Sequence, residues 1–236
     1  MNKLLTTLLL LAGISCFAQK KVINDPNIQE RKVQSFSSIS ISGGIDLYLS
    51  QDNHEALAVS ASEAKYVDGI KTEVKNGELR IWYTSPNKNW KENKKLRAYV
   101  SFKDIKNLKA SGACDVMVSG RVDLDRLNID ISGASDFKGE LRVQNLTVSQ
   151  SGASDATISG KVNDLAVNAS GASDMEAFKL ESENCSAKAS GASDIRVTVN
   201  KELTATANGA SSIHYKGSAV IRDIRTSGAG SVNKKG

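Results

Sequence analysis

Ser132-Gly133-Ala134-Ser135-Asp136 is one copy of a five-residue phrase that recurs at near-constant spacing through the second half of the chain. Identical copies begin at Ser151, Ser170 and Ser190, and degenerate copies extend the series in both directions. Every copy has glycine at its second position, at Gly112, Gly133, Gly152, Gly171, Gly191, Gly209 and Gly228. The intervals between these glycines are 21, 19, 19, 20, 18 and 19 residues. A fixed period near 20 residues predicts a solenoid with coils of about 19–21 residues, each stacked on the last.

The residues that precede each phrase alternate between apolar and polar side chains. Leu127, Ile129 and Ile131 alternate with Asn128 and Asp130 in one coil. Such alternation is typical of a strand with one buried face. The matching apolar positions of the later coils are Leu146, Val148 and Gln150, then Leu165, Val167 and Ala169, then Cys185, Ala187 and Ala189, then Leu203, Ala205 and Ala207. We therefore expect a leucine column and a valine/alanine column in the core, with Cys185 as a small buried member of the leucine column.

The phrase itself is predicted to turn the corner between this strand and a second, shorter strand. Glycine supplies a backbone conformation that other residues avoid, and the adjoining alanine is small enough to point inward at a tight bend. The Ser and Asp side chains can satisfy free backbone N–H groups of the turn. Apolar pairs such as Val116 with Val118, or Ala156 with Ile158, indicate the second strand. The sequence thus predicts an all-β chain without helices of useful length.

Residues 30–106 also contain strand patterns but lack the short period. Residues 36–49 look like a strand, a corner and a strand, with Gly43 through Asp46 similar to the later phrase. Asn76-Gly77 lies between alternating stretches and predicts a hairpin, and residues 96–100 predict another strand. We interpret residues 19–236 as a single solenoid domain, with irregular coils and a hairpin over 30–106 and regular coils over 107–232.

Residues 1–18 have the features of a secretory signal peptide. Lys3 supplies a positive start, residues 4–11 are apolar, and Cys16-Phe17-Ala18 forms a small-x-small cleavage site. Lipidation of Cys16 is the alternative, but Gly13 departs from the usual lipoprotein pattern, so we favour plain cleavage. No later stretch reaches the length of a membrane span. We expect an exported protein of the periplasm, the outer membrane surface or the extracellular space.

The net charge and the basic stretch of the chain bear on the class of partner. The chain has a net charge of +5, and residues 87–97 form a basic stretch around Trp90, which we interpret as a solvated loop. Nucleic acid is not expected as a partner, because no recognised binding motif is present in an exported chain.

Cys114 and Cys185 lie about three coils, or roughly 14 Å, apart at a coil spacing of about 4.8 Å. A disulfide requires Cα atoms within about 7 Å, so the sequence predicts two free thiols.

Together these elements resemble the head GIN domain family of exported bacterial proteins, whose name describes autotransporter adhesins. The resemblance rests on Val33-x-x-Phe36-x-x-Ile39 leading into residues 44–47, on Asn76-Gly77-x-Leu79-x-Ile81, and on the repeated phrase. It covers about residues 30–232. It implies a right-handed parallel β-helix-like fold and an adhesive function.

A column of carboxylates is the one candidate metal site. It comprises Asp46 and the last residue of each phrase, Asp115, Asp136, Asp155, Asp174 and Asp194. Carboxylates stacked one coil apart repel, and Ca²⁺ would relieve the repulsion through oxygen ligands. The nine-residue calcium repeat is absent, however, and Asp is common in turns. We favour turn capping and keep Ca²⁺ binding as a hypothesis.

No catalytic or cofactor motif is present in the sequence, and His54 and His214 are its only histidines. We predict a non-enzymatic, adhesin-like binding module of the cell envelope, with a polysaccharide or another cell-surface molecule as its ligand. Two other classes remain open: a polysaccharide lyase or hydrolase built on a β-helix, and an envelope scaffold without a small ligand. A calcium lyase site with Arg196 or Arg222 can be imagined, but nothing in the spacing selects it. Exposed end coils would favour oligomers.

Overall fold

The computed structural model describes residues 25–85 and 94–236, which form a β-solenoid of about seven turns. The predicted fold class is confirmed. The predicted signal peptide and residues 87–93 of the basic stretch around Trp90 lie outside the described residues, whereas Leu96 and Arg97 at the end of that stretch are in a strand rather than a loop. In chain order the elements are β1 (Gln29–Arg31), β2 (Ser38–Ser42), β3 (Ile45–Gln51), β4 (Ala56–Ser60), α1 (Ala64–Val67), β5 (Ile70–Lys75), β6 (Glu78–Tyr83), β7 (Leu96–Phe102), β8 (Asn107–Ser111), β9 (Asp115–Gly133), β10 (Asp136–Gly152), β11 (Asp155–Ala169), β12 (Asp174–Ala189), β13 (Asp194–Gly209), β14 (Ser212–Lys216), β15 (Val220–Gly228) and β16 (Ser231–Lys234).

Strands β9 to β13 each follow the chain around one coil and pair in parallel with the coils before and after. The register places equivalent residues of successive phrases next to each other, as in Asp136 beside Asp155. The predicted leucine column is confirmed, with buried members Leu127, Leu146, Leu165, Cys185 and Leu203. The valine/alanine column is also confirmed, with buried members Ile129, Val148, Val167, Ala187 and Ala205. Stacking of like on like therefore builds the core.

The next column contains a polar residue, Gln150, between Ile131 and Ala169. Its side chain is 2% exposed. The Nε2 group donates to the carbonyl oxygens of Ser154 and Asp174, both at 3.0 Å. These bonds tie two successive corners together and satisfy the Nε2 group, whereas Oε1 is buried without a hydrogen-bond partner among the described residues.

Each regular coil also has a third buried segment that the sequence analysis did not identify. Leu141 and Val143 occupy it in β10, and Leu180 and Ser182 occupy it in β12. In each coil this segment follows a break in the alternation of buried and exposed residues. Neighbouring coils of different length differ in the number of residues at this break. Register shifts lie between Lys138/Glu140, Thr157/Ser159 and Ala177/Glu181.

At each corner the predicted backbone conformation of the glycine is confirmed, but the predicted inward orientation of the alanine is wrong. Gly133 and Gly152 have φ angles of +80° and +85°, which only glycine adopts without strain. Ala134, which we expected to point inward, is exposed, and the following Ser135 is fully buried. The reason is that the two-residue alternation of the second strand extends back through Asp136. The exposed Asp therefore requires a buried residue on either side of it.

The buried serines form a column of their own through Ser135, Ser154, Ser173, Ser193 and Ser211. Their hydroxyl groups bond to nearby backbone. Ser173 Oγ donates to the carbonyl oxygen of Ser170 at 2.7 Å, and Ser193 Oγ donates to that of Ser190 at 2.8 Å. Cys114 takes the serine position in the first regular coil, with Sγ 3.3 Å from the carbonyl oxygen of Ser111.

The N-terminal part continues the same stack with added antiparallel strands. Strand β3 pairs in parallel with β9, and β2 pairs in parallel with β8. The predicted corner at Gly43 is confirmed, since Gly43 has a φ of +87° and lies next to Gly112. The predicted hairpin is also confirmed, because β5 and β6 are antiparallel and Asn76 and Gly77 both have positive φ. Strands β4 and β1 extend the sheet in antiparallel fashion beyond β7.

Candidate binding face and the aspartate column

The outward side chains of the strand before each corner form a continuous, mostly polar surface, which we call the polar face. It has two columns, fixed by the register of β6, β2, β8 to β13 and β15. One column contains Glu78, Ser38, Asn107, Asn128, Thr147, Ala166, Ser186, Thr204 and Asp223, and the other contains Arg80, Ser40, Lys109, Asp130, Ser149, Asn168, Lys188, Thr206 and Arg225. Nine strands at about 4.8 Å spacing give the polar face a length of about 38 Å.

Two shallow grooves lie on the polar face and adjoin each other. The first has a volume of about 420 Å³ and includes Asn168, Lys188 and Thr206 in its lining. The second has a volume of about 380 Å³ and includes Asn107 and Asn128. Asp130 and Ser149 line both grooves, so together they form one elongated open depression.

Hydrogen bonds between coils fix several of these side chains. Asn128 Nδ2 donates to Asn107 Oδ1 at 3.0 Å, and Asn107 Nδ2 donates to Ser38 Oγ at 3.0 Å. Lys109 Nζ lies 3.8 Å from Asp130 Oδ2. Hydroxyl, amide and charged groups recur at one-strand intervals and offer both donors and acceptors. This arrangement can contact an extended ligand with its own repeating hydroxyl groups.

The predicted aspartate column is present as a stack on a different outward position, at the start of the second strand of each coil. Asp115, Asp136, Asp155, Asp174 and Asp194 lie next to one another in the register. Burial raises the pKa of Asp136 above its ordinary value, and the charges of Asp115 and Asp155 add to the effect. The backbone amide of Asp155 opposes this by donating to Asp136 Oδ1 at 3.3 Å. That bond links the Asp136 carboxylate to the corner of the next coil, and turn capping by the column as a whole stays a prediction.

The aspartate column ends at a cation. Asp46 pairs in the register with Arg97, and the pKa of Asp46 is raised by burial and by Asp115, while Arg97 lowers it. Arg97 also bonds to Asp25, with Nη1 3.1 Å from Oδ2. Asp25 Oδ2 accepts a second bond from Ser60 Oγ at 2.5 Å. Arg97 therefore pairs with Asp25 and offsets only part of the upward shift in the pKa of Asp46.

The described parts of the chain do not gather the aspartates into a metal cluster: no three His, Cys, Asp or Glu side chains converge there as metal ligands. Asp194 instead bonds to Arg196 Nη2 at 2.7 Å. Arg222 bonds to Glu202, on the strand next to its own. The Ca²⁺ hypothesis remains a prediction to be tested.

The histidines lie in separate settings. His54 is exposed, with Nδ1 3.3 Å from Asp52 Oδ1. His214 points outward between the buried residues Ile213 and Tyr215, although its Nδ1 atom is buried without a hydrogen-bond partner. The only carboxylate that pairs with either histidine in the described ranges is thus Asp52, and its pair with His54 is exposed to solvent.

The two described cysteines are free and buried, as predicted. Burial raises the pKa of the Cys185 thiol to about 12. It also raises the pKa of Cys114, against the effect of nearby backbone N–H groups. Thiols with raised pKa values are poor nucleophiles at neutral pH, so both cysteines act as small core residues.

Several solved structures share this fold. A protein from Bacteroides fragilis, described as a putative adhesin, is 23% identical, with a TM-score of 0.82, and the match covers 88% of this chain and 96% of that one. A putative adhesin from Parabacteroides merdae is 17% identical, with a TM-score of 0.67 and coverage of 89% and 95%. A putative lipid binding protein from Parabacteroides distasonis is 20% identical, with a TM-score of 0.62 and coverage of 90% and 98%. These likenesses establish the fold.

No curated protein matches the chain. Within the described ranges, no helix is both long and apolar enough to span a membrane.

A family model described as "Putative auto-transporter adhesin, head GIN domain" matches residues 35–219, which is well over half of the sequence and includes every identical copy of the repeated phrase. The chain therefore belongs to the head GIN domain family.

Proposed function

We propose that this protein is an exported, non-enzymatic, adhesin-like module of the cell envelope whose polar face binds a polysaccharide. The observation that carries the proposal is the match between a repeating surface and a repeating ligand. Donor and acceptor groups recur at strand spacing along about 38 Å, and two adjoining grooves provide a continuous depression over the middle coils.

The chemistry of the polar face suits a neutral or weakly charged glycan. Ser149, Asn168 and Thr206 offer uncharged hydroxyl and amide groups. Lys109 and Asp130 already pair with each other across adjacent strands. A strongly anionic polymer would meet carboxylates as well as cations along the same groove, so a neutral glycan is the better fit.

An enzyme and a scaffold are the two other function classes that are compatible with this fold. Catalysis requires a base, an acid and positioning groups close together. Asp194 is already paired with Arg196, and Arg222 with Glu202, which favours a structural use of these arginines. A pure scaffold would not require the open groove, and binding experiments separate it from an adhesin.

The first test is retention of residues 19–236 on a panel of bacterial and host polysaccharides, with Ca²⁺ or with a chelator. We expect saturable retention on one class, without release of reducing or unsaturated sugar. Release of either product would identify an enzyme instead. Loss of retention with the chelator would assign a role to the aspartate column.

A matched pair of variants locates the ligand. Asn168→Arg places a long cation in the groove of the polar face, whereas Thr157→Arg places the same side chain on an outward position of the second strand in the same coil. We expect Asn168→Arg to abolish retention and Thr157→Arg to preserve it. Equal retention by both variants would exclude the polar face, and absence of retention on every polysaccharide would favour the scaffold.

A further inference from the structure

The last coil of the solenoid exposes surface that every earlier coil covers. Ile221 and Ile224 lie next to Leu203 and Ala205 in the register, so they continue the leucine column and the valine/alanine column. Leu203 and Ala205 are fully buried, but Ile221 and Ile224 are 37% and 40% exposed, and Val220 is 61% exposed. The core columns therefore end in uncovered apolar side chains.

The backbone of this coil is also unpaired on one side. Strand β15 pairs with β13 only, and β16 pairs with β14 only, within residues 25–85 and 94–236. An exposed apolar strand edge is a ready template for pairing with another strand. Solenoids usually protect this end with a polar capping segment.

We propose that the C-terminal coil is the interface of a symmetric homodimer, in which β15 pairs antiparallel with β15 of a second copy of this chain. The two solenoids then join tail to tail around a twofold axis that passes through Ile224. The contact is isologous, as is usual for dimers of this symmetry. Each copy supplies the missing neighbour for the core columns of the other.

The sequence of β15 selects the register of this pair. Directly opposed residues in an antiparallel pair share one face of the sheet. Because Asp223 and Arg225 lie on the polar face and Ile224 lies on the core side, the strand can pair with its copy only when one residue opposes itself. Centring on Asp223 would oppose two carboxylates, and centring on Arg225 would oppose two guanidinium groups.

Centring on Ile224 gives a complementary arrangement. Ile224 meets Ile224 of the second copy on the core side, and Asp223 meets Arg225 of the second copy twice on the polar face. Opposite charges in direct cross-strand positions stabilise a pair, whereas like charges destabilise it. Within one chain Arg225 Nε lies 2.7 Å from Asp223 Oδ2, so these groups already lie within reach of each other.

The dimer has a consequence for ligand binding. Asp223 and Arg225 are the last members of the two columns of the polar face. Tail-to-tail pairing would therefore join two polar faces edge to edge into one surface of twice the length. A long polymer could then contact both copies at once, which raises its apparent affinity without any new type of contact.

The test is a charge swap read by sedimentation or light scattering of residues 19–236. We expect the unmodified chain to dimerise, and Asp223→Arg and Arg225→Asp each to weaken the dimer by about tenfold or more, because each homodimer then contains two like-charged pairs. An equimolar mixture of the two variants should restore dimers, since every guanidinium group at these positions of one chain would then face a carboxylate of the other. The intrachain pair stays broken in the mixture, so restored dimers report on the interface alone.

Two kinds of result would contradict the proposed dimer. A monomer at concentrations up to about 100 µM, far above a micromolar Kd, would overturn the proposal and leave the coil to another partner. A dimer that neither variant weakens, or a mixture that does not recover, would overturn the Ile224-centred interface. The substitutions lie on exposed or half-exposed positions, and a circular dichroism spectrum of each variant verifies the fold.

Discussion

A Cβ atom on Gly152 would lie 2.5 Å from the carbonyl oxygen of Gly133. The two glycines occupy the same corner in successive coils, and Gly152 has a φ of +85°. Each corner therefore stacks directly on the one before it, with no space for a side chain between them. The requirement for glycine is steric as well as conformational.

We expect Gly152→Ala to lower the free energy of unfolding by about 2–4 kcal/mol, because it adds the steric clash to the cost of a left-handed backbone. Gly120→Ala is the matched control, since Gly120 also has a positive φ but a Cβ there would meet no atom within 4 Å. Gly120→Ala should lower the free energy of unfolding only by the cost of the left-handed backbone, about 1 kcal/mol. Denaturant unfolding measures both, and equal losses would contradict the close stacking of corners.

The burial of the native thiols predicts their reactivity. Because burial raises the pKa of Cys185 to about 12 and also raises that of Cys114, neither thiol should react with a disulfide reagent at pH 8 in the folded protein. Both should react after unfolding in denaturant. Fewer than two reactive thiols in the unfolded mature chain would indicate a disulfide and contradict the structure.

The orientation of the corner can be tested on this unreactive background. Ala172 is exposed and Ser173 is fully buried, although the two are adjacent. A cysteine introduced by Ala172→Cys should react rapidly with the reagent, whereas one introduced by Ser173→Cys should stay protected. Cys114 already occupies the equivalent of the serine position, so the second variant should fold. The reverse pattern would restore our initial expectation that alanine points inward.

The stacked carboxylates predict a dependence on pH. The folded-state pKa of Asp136 is raised, so its contribution to stability is fully present below the unfolded pKa of about 3.9 and is lost as the pH rises through the folded value. Asp136→Asn imitates the protonated group and keeps an acceptor for the amide of Asp155. At pH 7 we expect the variant to be more stable by a few tenths of a kcal/mol, since exposed charges are well screened.

This gain should vanish near pH 3 and shrink in high salt. Thermal unfolding at both pH values measures it, with Asp125→Asn as the control for loss of an exposed carboxylate outside the column. A variant that is less stable than the unmodified protein at pH 7 would show that capping outweighs repulsion. Stabilisation of the unmodified protein by Ca²⁺, absent in Asp136→Asn, would instead support the cation hypothesis.

Much of the fold follows from the local pattern because the repeat makes each coil a copy of the next. The columns at Leu165 and Val167 could be predicted because alternation and stacking act together on the same strand. The hairpin at Asn76-Gly77 was predictable because two consecutive left-handed residues suit a two-residue turn. These features depend on a few neighbouring residues.

The inward residue of the corner was not predicted, because Ala134 and Ser135 are both small and either would fit a tight bend. The signal that could have decided it is Cys114, a residue type that is usually buried, at the serine position of the first regular coil. The polar face was missed for a different reason. Its columns combine β2, β6 and β8 with the regular coils, and that pairing joins segments far apart in sequence.

The coils differ in length, yet each corner glycine lies beside the next. The extra or missing residues are absorbed at bulges such as Lys138/Glu140 and Thr157/Ser159, which lie away from both the corner and the polar face. Gene duplication or deletion of one whole coil would therefore keep the corner glycines stacked across the junction. It would lengthen or shorten the polar face by one strand, about 4.8 Å. Evolution could thus fit the reach of this surface to its ligand in discrete steps, without redesigning any single coil.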